Sequence, residues 1–353
     1  ATVIGFRDYG SKRLKNWIQE NGLQINNCGK VIIPQKISLD SQLDLLAQRG
    51  RANGAIVEFW DNQKLKENFP QLKSLTGRAL WSPNTAVVRP KEIIERLQIN
   101  LENSGVKTLT SFTDYDLDIK RKIIKKNNGD SINFEYLFNC CGMNAIEIAK
   151  KCFVGNQYKV IPFKGIYWKL NGINLTNFNT NIYPVPDLKM PFLGVHFTPS
   201  FSKKSNLVED VFIGPTATLA FGKENYHGLD NLEPLNFISN ALDLSKLFIN
   251  NKGGIRKYVK EQLFLSLKPL LVRSAKELLP TVNDVNIINC MKVGIRSQLF
   301  DINNNCLVND FLCINGEGST HVLNAVSPAF TASFELADLI INKSPLCSNG
   351  EIA

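Results

Sequence analysis

The feature that most constrains the fold of this chain is a change of hydrophobic period along it. Residues 158–221 alternate apolar and polar side chains, as β-strands do, whereas the flanking segments show the 3.6-residue period of helices. Before this stretch, an apolar strand at 134–141 runs into a Gly-containing turn and a helix through Lys150. Such a βα unit places ligands at the carboxyl ends of strands. We therefore expect an α/β (α+β) fold in which an α/β domain and an antiparallel-sheet domain are interleaved.

The flanking periodic segments predict individual helices and strands. Pro90 suits the first turn of a helix that we expect to continue to about Glu102, because that position makes no intrahelical N–H bond. Residues 254–279 predict a long basic amphipathic helix, for which packing on a core is favoured over lying on a membrane surface. Further predictions are helices at 11–21 and 40–52, strands at 31–33 and 106–110, and a hairpin at 115–134.

Charge and cysteine content exclude several functional classes. The net charge is +9, from 41 Lys and Arg against 32 Asp and Glu, but the excess is spread out and no nucleic-acid motif accompanies it. The eight cysteines and three histidines lack zinc spacing, so we expect no metal site and a reducing compartment. No apolar run reaches the roughly 18 residues of a membrane-spanning helix. We expect a cytoplasmic protein, with peripheral contact to the inner membrane as the alternative.

Two C-terminal segments are candidate ligand sites. Ser327 can cap a helix and Pro328 suits its first position, in a strand–turn–helix pattern that continues to about Ile341. The N–H groups of such a helix start favour an anion, although an ordinary capped helix is the more common meaning. Arg296, just after Gly294, can bind a carboxylate through two hydrogen bonds, although a surface arginine is again more common.

Basic and aromatic side chains also lie near proline-rich corners of the period-two stretch. Lys164 and Tyr167 follow Pro162, and His196 lies five residues after Pro191. Tyrosine and histidine on strands near such corners can line a pocket, while packing in a core is the more common role.

Taken together, several of these segments form a recognisable set of motifs. The most specific are Ile182–His196 and the box Asn324-Ala325-Val326-Ser327-Pro328-Ala329. They are accompanied by the stretches Asn27–Lys30, Arg49–Gly54, Pro162–Tyr167 and Ile213–Ala217. With these motifs the chain resembles the FAD-dependent L-2-hydroxyglutarate oxidase/dehydrogenase family, within the D-amino-acid-oxidase-like flavoenzymes.

The resemblance implies a cofactor, a reaction and a set of site residues. FAD would accept a hydride at N5 from C2 of L-2-hydroxyglutarate after a base takes the hydroxyl proton, giving 2-oxoglutarate. Oxygen, a quinone or an electron-transfer protein would then accept the electrons. The implied contacts to this small dicarboxylate are Arg296, Lys164, Tyr167, Tyr183 and His196. The implied FAD contacts are Gly142, Ala145, Val106 on a neighbouring strand, Gly294, Asn324, and backbone N–H groups of Ser327, Pro328 and Ala329.

The resemblance also implies how the chain divides into domains. The expected architecture is glutathione-reductase-like or D-amino-acid-oxidase-like, without its N-terminal part. An incomplete FAD-binding domain, with its first βαβ element missing, would comprise residues 1–26, 86–157 and 290–353. The substrate domain would comprise residues 27–85 and 158–289.

One departure from the family is large. The sequence contains no Gly-x-Gly-x-x-Gly turn and no segment matching the one that carries the family's catalytic histidine. We therefore expect that Ala1 lies downstream of both, and that this polypeptide alone binds FAD poorly and turns over nothing. The alternatives are a related FAD-dependent oxidoreductase acting on another 2-hydroxy acid, glycerol 3-phosphate or an amino acid, and a non-catalytic remnant.

Overall fold

The computed structural model describes residues 2–348 apart from 187–193, 215–216, 252–253, 257–258, 260–261, 263–264 and 266, with side chains from Gly10 to Cys347. Its helices, where both bounds are described, are α1 (Thr2–Glu20), α2 (Asp40–Ala52), α3 (Asn62–Asn68), α4 (Pro90–Asn103), α5 (Ala145–Lys151), α6 (Pro234–Ile249), α7 (Lys268–Leu278), α8 (Ser333–Lys343) and α9 (Pro345–Ser348). Parts of two matched motifs, 187–193 and 215–216, lie outside the described residues.

Strands are numbered in the same way. The first nine are β1 (Ile25–Asn26), β2 (Lys30–Ile33), β3 (Glu58–Asp61), β4 (Arg78–Ser82), β5 (Val87–Val88), β6 (Tyr115–Asp118), β7 (Ile123–Lys126), β8 (Ser131–Asn133) and β9 (Leu137–Asn139). They are followed by β10 (Tyr158–Leu170), β11 (Asn181–Pro184), β12 (His196–Phe201), β13 (Val208–Gly214), β14 (Thr218–Leu219), β15 (Ile287–Asp301), β16 (Cys306–Leu307), β17 (Leu312–Gly316) and β18 (Ser319–Asn324).

The chain forms two compact units, each built from separated segments. Unit 1 comprises residues 1–23, 89–161 and 297–353, and unit 2 comprises residues 24–88 and 162–296. Strands β10 and β15 each begin in one unit and end in the other. For this reason the predicted boundaries at 157 and 290 fall shortly before the observed ones at 161 and 297. The assignment of FAD to one unit and substrate to the other stays a prediction.

Unit 1 contains the βα unit that the sequence predicts. Strand β18 pairs in parallel with β9 and antiparallel with β17. Helix α5 follows β9 and packs Ala145, Ile146 and Ala149 against Leu323 of β18. Strands β6, β7 and β8 form a separate small sheet at the predicted hairpin. In α1 the Arg13 guanidinium binds two carboxylates of α8, those of Glu335 and Asp338.

The strand predicted at 106–110 is wrong. These residues follow α4 without forming a strand, and the Val106 N–H donates to Leu101 O at the end of that helix. Val106 is 48% exposed and Leu109 is 47% exposed. The apolar alternation there predicts a strand, but a strand forms only where a neighbouring strand supplies hydrogen bonds, and none of the described segments does so. Val106 is therefore not on a neighbouring strand of the β17–β18–β9 sheet.

Unit 2 is built on one large sheet. Its strand order is β15-β10-β13-β12-β11-β2-β4-β3, and β14 pairs with β10. The pairs among β10, β13, β12 and β11 are antiparallel, as are those among β2, β4 and β3. Strands β11 and β2 pair in parallel, which an entirely antiparallel prediction misses. The chain can return in that direction because long segments separate the two strands.

Helix α7 covers one face of this sheet. Its side chains Leu271, Val272, Ala275 and Leu278 are buried in the core that the sheet residues Phe197 and Ile213 help to form. This apolar stripe is therefore a packing surface, which confirms the favoured interpretation of the basic amphipathic segment. The prediction of one continuous helix over 254–279 is wrong, because Leu267 has an extended backbone and is 58% exposed, and α7 begins only at Lys268. Several positions from 252 to 266 lie outside the described residues.

Among the described residues, no helix is long and apolar enough to cross a bilayer.

Candidate active site

Four residues from four neighbouring strands line up across the sheet of unit 2. His196 of β12 pairs directly with Gly214 of β13. The registers of the adjoining pairs place Tyr167 of β10 on the far side of Gly214, and Tyr183 of β11 beside His196. The rings of Tyr183 and His196 stack with 4.4 Å between their centroids. We call Tyr167, Gly214, His196 and Tyr183 the aromatic row.

The aromatic row lies on the face of the sheet opposite the core. Side chains alternate between faces along a strand, so each residue next to the row points the other way. Those neighbours include Ile182, Phe197 and Ile213, which are fully buried in the core beneath α7. The alternation that builds the core thus also places polar aromatic side chains together on the opposite face.

His196 is held as a neutral imidazole. Its Nδ1 lies 2.9 Å from the carbonyl oxygen of Gly194, which can only accept a hydrogen bond. Nδ1 must therefore carry the proton, and Nε2 is left as an acceptor. Burial, together with the positive charge of Lys30, lowers the pKa of His196 to about 4.

Both tyrosines of the row are neutral hydrogen-bonding groups as well. Burial raises the pKa of Tyr183, although a hydrogen bond with Thr198 acts in the opposite direction. Burial also raises the pKa of Tyr167, and the positive charge of Arg296 opposes this effect. The row therefore presents hydroxyl and imidazole groups with no charge of their own at neutral pH.

Cationic side chains surround the row. The Lys292 ammonium lies 4.7 Å from the ring centroid of Tyr167, and Arg296 is close enough to influence the hydroxyl of the same tyrosine. The Lys30 ammonium lies 5.5 Å from the ring of Tyr183. Positive charge beside neutral donors and acceptors is suited to binding an organic anion.

Sequence reasoning missed two cations of this group, Lys30 and Lys292. Lys292 has the same alternation as Gly294 and Arg296 along β15, so all three lie on one face of the strand. The Sγ of Cys290, two residues earlier, donates to the carbonyl oxygen of Tyr167 at 3.1 Å, which fixes β15 beside β10. The period-two spacing from Arg296 was the signal that could have identified Lys292.

Lys164 has a different environment from the other predicted substrate residues. It precedes Tyr167 by three positions, which places the two side chains on opposite faces of a regular strand. Its ammonium donates to Asn225 Oδ1 at 2.8 Å. Asn225 is itself buried and donates to the carbonyl oxygens of Gly228 and Asp230. Lys164 therefore stabilises the loop that contains Asn225 and is not part of the aromatic row.

Of the candidate cofactor residues, Gly142, Ala145 and Asn324 lie in unit 1, where two parallel strands end, whereas Gly294 lies in β15 of unit 2. Gly142 is in a 3₁₀ turn between β9 and α5 with φ of +54°, and Ala145 begins α5. Asn139 of β9 donates to Ala145 O at 2.8 Å and to His321 Nδ1 at 2.9 Å. The amide therefore joins β9 to both the helix and β18. This is the edge of an α/β sheet at which ligands bind.

Asn324 is the last residue of β18 at that edge, and one of its two side-chain polar atoms has no hydrogen-bond partner among the described residues. Its amide nitrogen donates to the carbonyl oxygens of Val308 and Asp310 at 2.9 and 2.7 Å. Since both partners are acceptors, the orientation of the amide is fixed by its own chemistry. Its Oδ1 is buried and has no hydrogen-bond partner among the described residues. A buried acceptor of this kind favours a donor supplied from outside the chain.

The helix start predicted at Pro328 is wrong. Helix α8 begins at Ser333, and the Ser327–Pro328 peptide bond is cis. The Ala329 N–H donates to Val326 O and the Ala332 N–H to Pro328 O, so these residues close turns before the helix begins. Proline has no N–H, and that of Ala329 is already used. The predicted set of three backbone donors at Ser327, Pro328 and Ala329 is therefore not formed, and contact of these residues with FAD stays a prediction.

Comparison with known families identifies the kind of protein to which the candidate sites of units 1 and 2 belong. Residues 3–342 match the family described as DAO, FAD dependent oxidoreductase. The chain belongs to this family. It is therefore an FAD-dependent oxidoreductase with a mixed α/β fold, and FAD is its cofactor.

Curated relatives of this FAD-dependent oxidoreductase include L-2-hydroxyglutarate dehydrogenases. The mitochondrial L-2-hydroxyglutarate dehydrogenase of Caenorhabditis elegans is 29% identical over 90% of this chain and 73% of its own length. The mitochondrial L-2-hydroxyglutarate dehydrogenase of Homo sapiens is 26% identical over 95% of this chain and 74% of its own length. The dithionite-reduced, FAD-bound L-alpha-glycerophosphate oxidase of Mycoplasma pneumoniae has the same fold, with a TM-score of 0.70, 16% identity and coverage of 97% of this chain and 79% of that one.

The residues of this oxidoreductase fit part of an FAD molecule. The buried Oδ1 of Asn324 requires a donor, and the isoalloxazine N3–H and the ribityl hydroxyls of FAD are donors of that kind. Gly142 and Ala145 lie at the same type of strand end, where the backbone can approach a ligand closely. The sequence has no Gly-x-Gly-x-x-Gly turn, so a pyrophosphate cradle of that type is not among these 353 residues.

Proposed function

We propose that the protein catalyses the FAD-dependent oxidation of L-2-hydroxyglutarate to 2-oxoglutarate. The observation that carries this proposal is the aromatic row, three neutral polar side chains with the cations Arg296 and Lys292 beside Tyr167. A 2-hydroxy acid needs a cation for its carboxylate and uncharged partners for its hydroxyl group. The names of the relatives in worm and human support the five-carbon diacid over other 2-hydroxy acids.

Arg296 binds the carboxylate next to the reacting carbon in this proposal. Its guanidinium is charged at every physiological pH, and its planar fork can hold both carboxylate oxygens at once. Tyr167, whose hydroxyl lies close enough to Arg296 to be affected by its charge, adds a hydrogen bond on the same side. Two such contacts orient the substrate, which lowers the entropy cost of reaching the reactive geometry.

His196 accepts a hydrogen bond from the substrate hydroxyl group through Nε2. With a pKa of about 4 it is too weak a base to hold the proton at neutral pH. We therefore assign it to orientation of the hydroxyl group, and the group that removes the proton is not assigned. When bound, FAD supplies the acceptor for the hydride that leaves C2.

The test is a visible absorption spectrum of FAD-loaded protein under anaerobic conditions. Addition of L-2-hydroxyglutarate should bleach the flavin band, while the D-enantiomer and L-malate should bleach it far more slowly. A flavin that dithionite reduces but L-2-hydroxyglutarate does not would contradict the proposed substrate. The same spectrum also tests the expectation that this polypeptide alone binds FAD poorly and turns over nothing.

The electron acceptor, peripheral membrane contact and cytoplasmic location stay predictions. Oxygen, a quinone and an electron-transfer protein would all be compatible with the residues of the aromatic row. Turnover of the same preparation with each acceptor in turn would distinguish them.

A further inference from the structure

Lys292 is a cation held in place by two aromatic rings. Its Nζ lies 4.1 Å from the ring centroid of Phe212 and 4.7 Å from that of Tyr167. No carboxylate among the described residues is within ion-pair distance of it. Burial lowers the pKa of its ammonium, and only the thiol of Cys290 acts in the opposite direction. The position of this charge is thus set by ring contacts, which leave its hydrogen-bond donors unmatched to any carboxylate of the described chain.

Two lysines of β10, the strand beside β15, differ from Lys292 because each is bonded to a neighbouring side chain. Lys164 donates to Asn225, and Lys169 forms an ion pair with Asp210 of β13. Each is therefore occupied by a group from its own unit. Among the lysines of β10 and β15 that approach the aromatic row, Lys292 is the one positioned to receive an anion.

The strand itself leaves room between the two cations of β15. Gly294 lies between Lys292 and Arg296 on the same face, and a Cβ added to it would meet no atom within 4 Å. The Lys292 ammonium lies 4.7 Å from the ring centroid of Tyr167, and the positive charge of Arg296 lowers the pKa of the same tyrosine. A molecule with two carboxylates could lie over Gly294 with one group at each end.

We propose that Lys292 binds the distal carboxylate of the substrate while Arg296 binds the carboxylate next to the hydroxyl carbon, so that this pair selects dicarboxylates. The inference rests on the proposed function and replaces the predicted second cation, Lys164, with Lys292. A charge-assisted hydrogen bond to a carboxylate is stronger than a neutral one, so its loss should be visible in the substrate preference.

The kinetic test compares Lys292→Gln with Lys169→Gln. With L-2-hydroxyglutarate, Lys292→Gln should raise KM by roughly ten- to a hundredfold, while kcat changes little. With L-2-hydroxypentanoate, which has the same carbon chain without the distal carboxylate, the same variant should match the unmodified enzyme. Lys169→Gln should leave both substrates unaffected, and Lys292→Arg should recover part of the preference.

Equal losses for both substrates, or no loss for either, would overturn the role of Lys292. A structural role alone would predict equal losses, because it would not depend on the distal carboxylate. Lys30, beside Tyr183, is the other cation of the row. If Lys30→Gln instead removed the preference for the diacid, the distal carboxylate would lie at Tyr183 and the proposal would be wrong.

A binding measurement separates this inference from the proposed reaction. Glutarate has both carboxylates but no hydroxyl group, so it cannot be oxidised. Calorimetric titration of FAD-loaded protein should show glutarate binding that Lys292→Gln weakens roughly tenfold or more and Lys169→Gln does not. Oxidation of L-2-hydroxyglutarate with unchanged glutarate binding in Lys292→Gln would defeat only the inference. Glutarate binding without oxidation of L-2-hydroxyglutarate would defeat only the proposed reaction.

Discussion

The two units carry their candidate sites on different kinds of structure. In unit 2 the site residues lie inside strands that are paired along the aromatic row, as His196 is with Gly214. In unit 1 they lie at the end of a strand, as Asn324 does, or in the turns that follow strands, as Gly142 and Ser327 do. Strand alternation fixes which residues share a face, while a turn is fixed only by its own hydrogen bonds. The strand-borne site could therefore be predicted more closely than the turn-borne one.

The two candidate sites also differ in the interactions that hold their residues in place. Each residue of the aromatic row adjoins a core residue on the same strand, so displacement of the row would also disturb the core. Asn324 in unit 1 is held by two hydrogen bonds to a neighbouring loop and leaves its Oδ1 without a partner. We expect the site of unit 2 to respond to changes in packing and pH, and that of unit 1 to respond to the cofactor.

The largest expected effect comes from the core side of the strand that carries His196. Phe197 is fully buried, with 0% exposure, so Phe197→Ala should lower the free energy of unfolding by about 3–5 kcal/mol through lost burial and a cavity. Urea denaturation monitored by circular dichroism would measure it. The control, Tyr167→Phe, removes one hydroxyl on the opposite face and should cost within about 1 kcal/mol. Similar losses in both variants would mean that the two faces are not energetically distinct.

The next effect concerns pH and His196. Unfolded, this imidazole takes up a proton near pH 6.5, whereas in the folded protein its pKa is about 4. The unfolded state therefore binds more protons between these values, and stability should fall by about 3 kcal/mol as the pH drops from 6.5 to 4. Unfolding free energies of the unmodified protein and His196→Gln across this range would measure the effect.

The difference between those two pH profiles isolates the histidine from the carboxylates that titrate in the same range. His196→Gln should lack the fall assigned to His196. His321 in unit 1 also has a pKa lowered by burial, so its contribution has the same sign and remains in both proteins. Parallel profiles would contradict the buried, neutral state of His196.

A smaller effect is expected in unit 1. Asn324→Ala removes two hydrogen bonds to carbonyl oxygens and should lower the free energy of unfolding by about 2 kcal/mol. It should also weaken FAD binding, measured by the fluorescence of flavin released on dilution. Asn315→Ala, which changes an exposed amide on β17 of the same sheet, is the matched control. Unchanged FAD affinity in Asn324→Ala would place the cofactor away from Oδ1.

The smallest effect is expected at Lys164. Because its ammonium is bound to Asn225, Lys164→Gln should change KM for L-2-hydroxyglutarate by about twofold or less. Initial rates over a range of substrate concentrations would measure it, with Arg296→Gln as the variant that should raise KM strongly. A large rise in Lys164→Gln would restore the residue to the substrate site and remove the contrast between the two faces of β10.

Much of the fold follows from local pattern. Helix α2 (Asp40–Ala52) has the predicted bounds, and α4 begins at Pro90 and ends within a residue of expectation. The period-two stretch forms strands β10 to β14 of the sheet of unit 2, because alternation along a strand needs no knowledge of its partner, whereas β2, β3, β4 and β15 come from other segments. The motifs that resemble a flavoenzyme family also suffice to assign the family, which the match over residues 3–342 confirms.

The tertiary structure decided what the local pattern left open. Residues 106–110 alternate like a strand but have no strand partner in the described chain, and Pro328 suits a helix start although α8 begins at Ser333. The sequence alone indicated Lys164 and Arg296 as cations of a ligand site, but it did not indicate Lys292. Only the register of β10, β13 and β15 decided that Lys292 lies on the aromatic rings and Lys164 does not, because register depends on pairing between segments far apart in sequence.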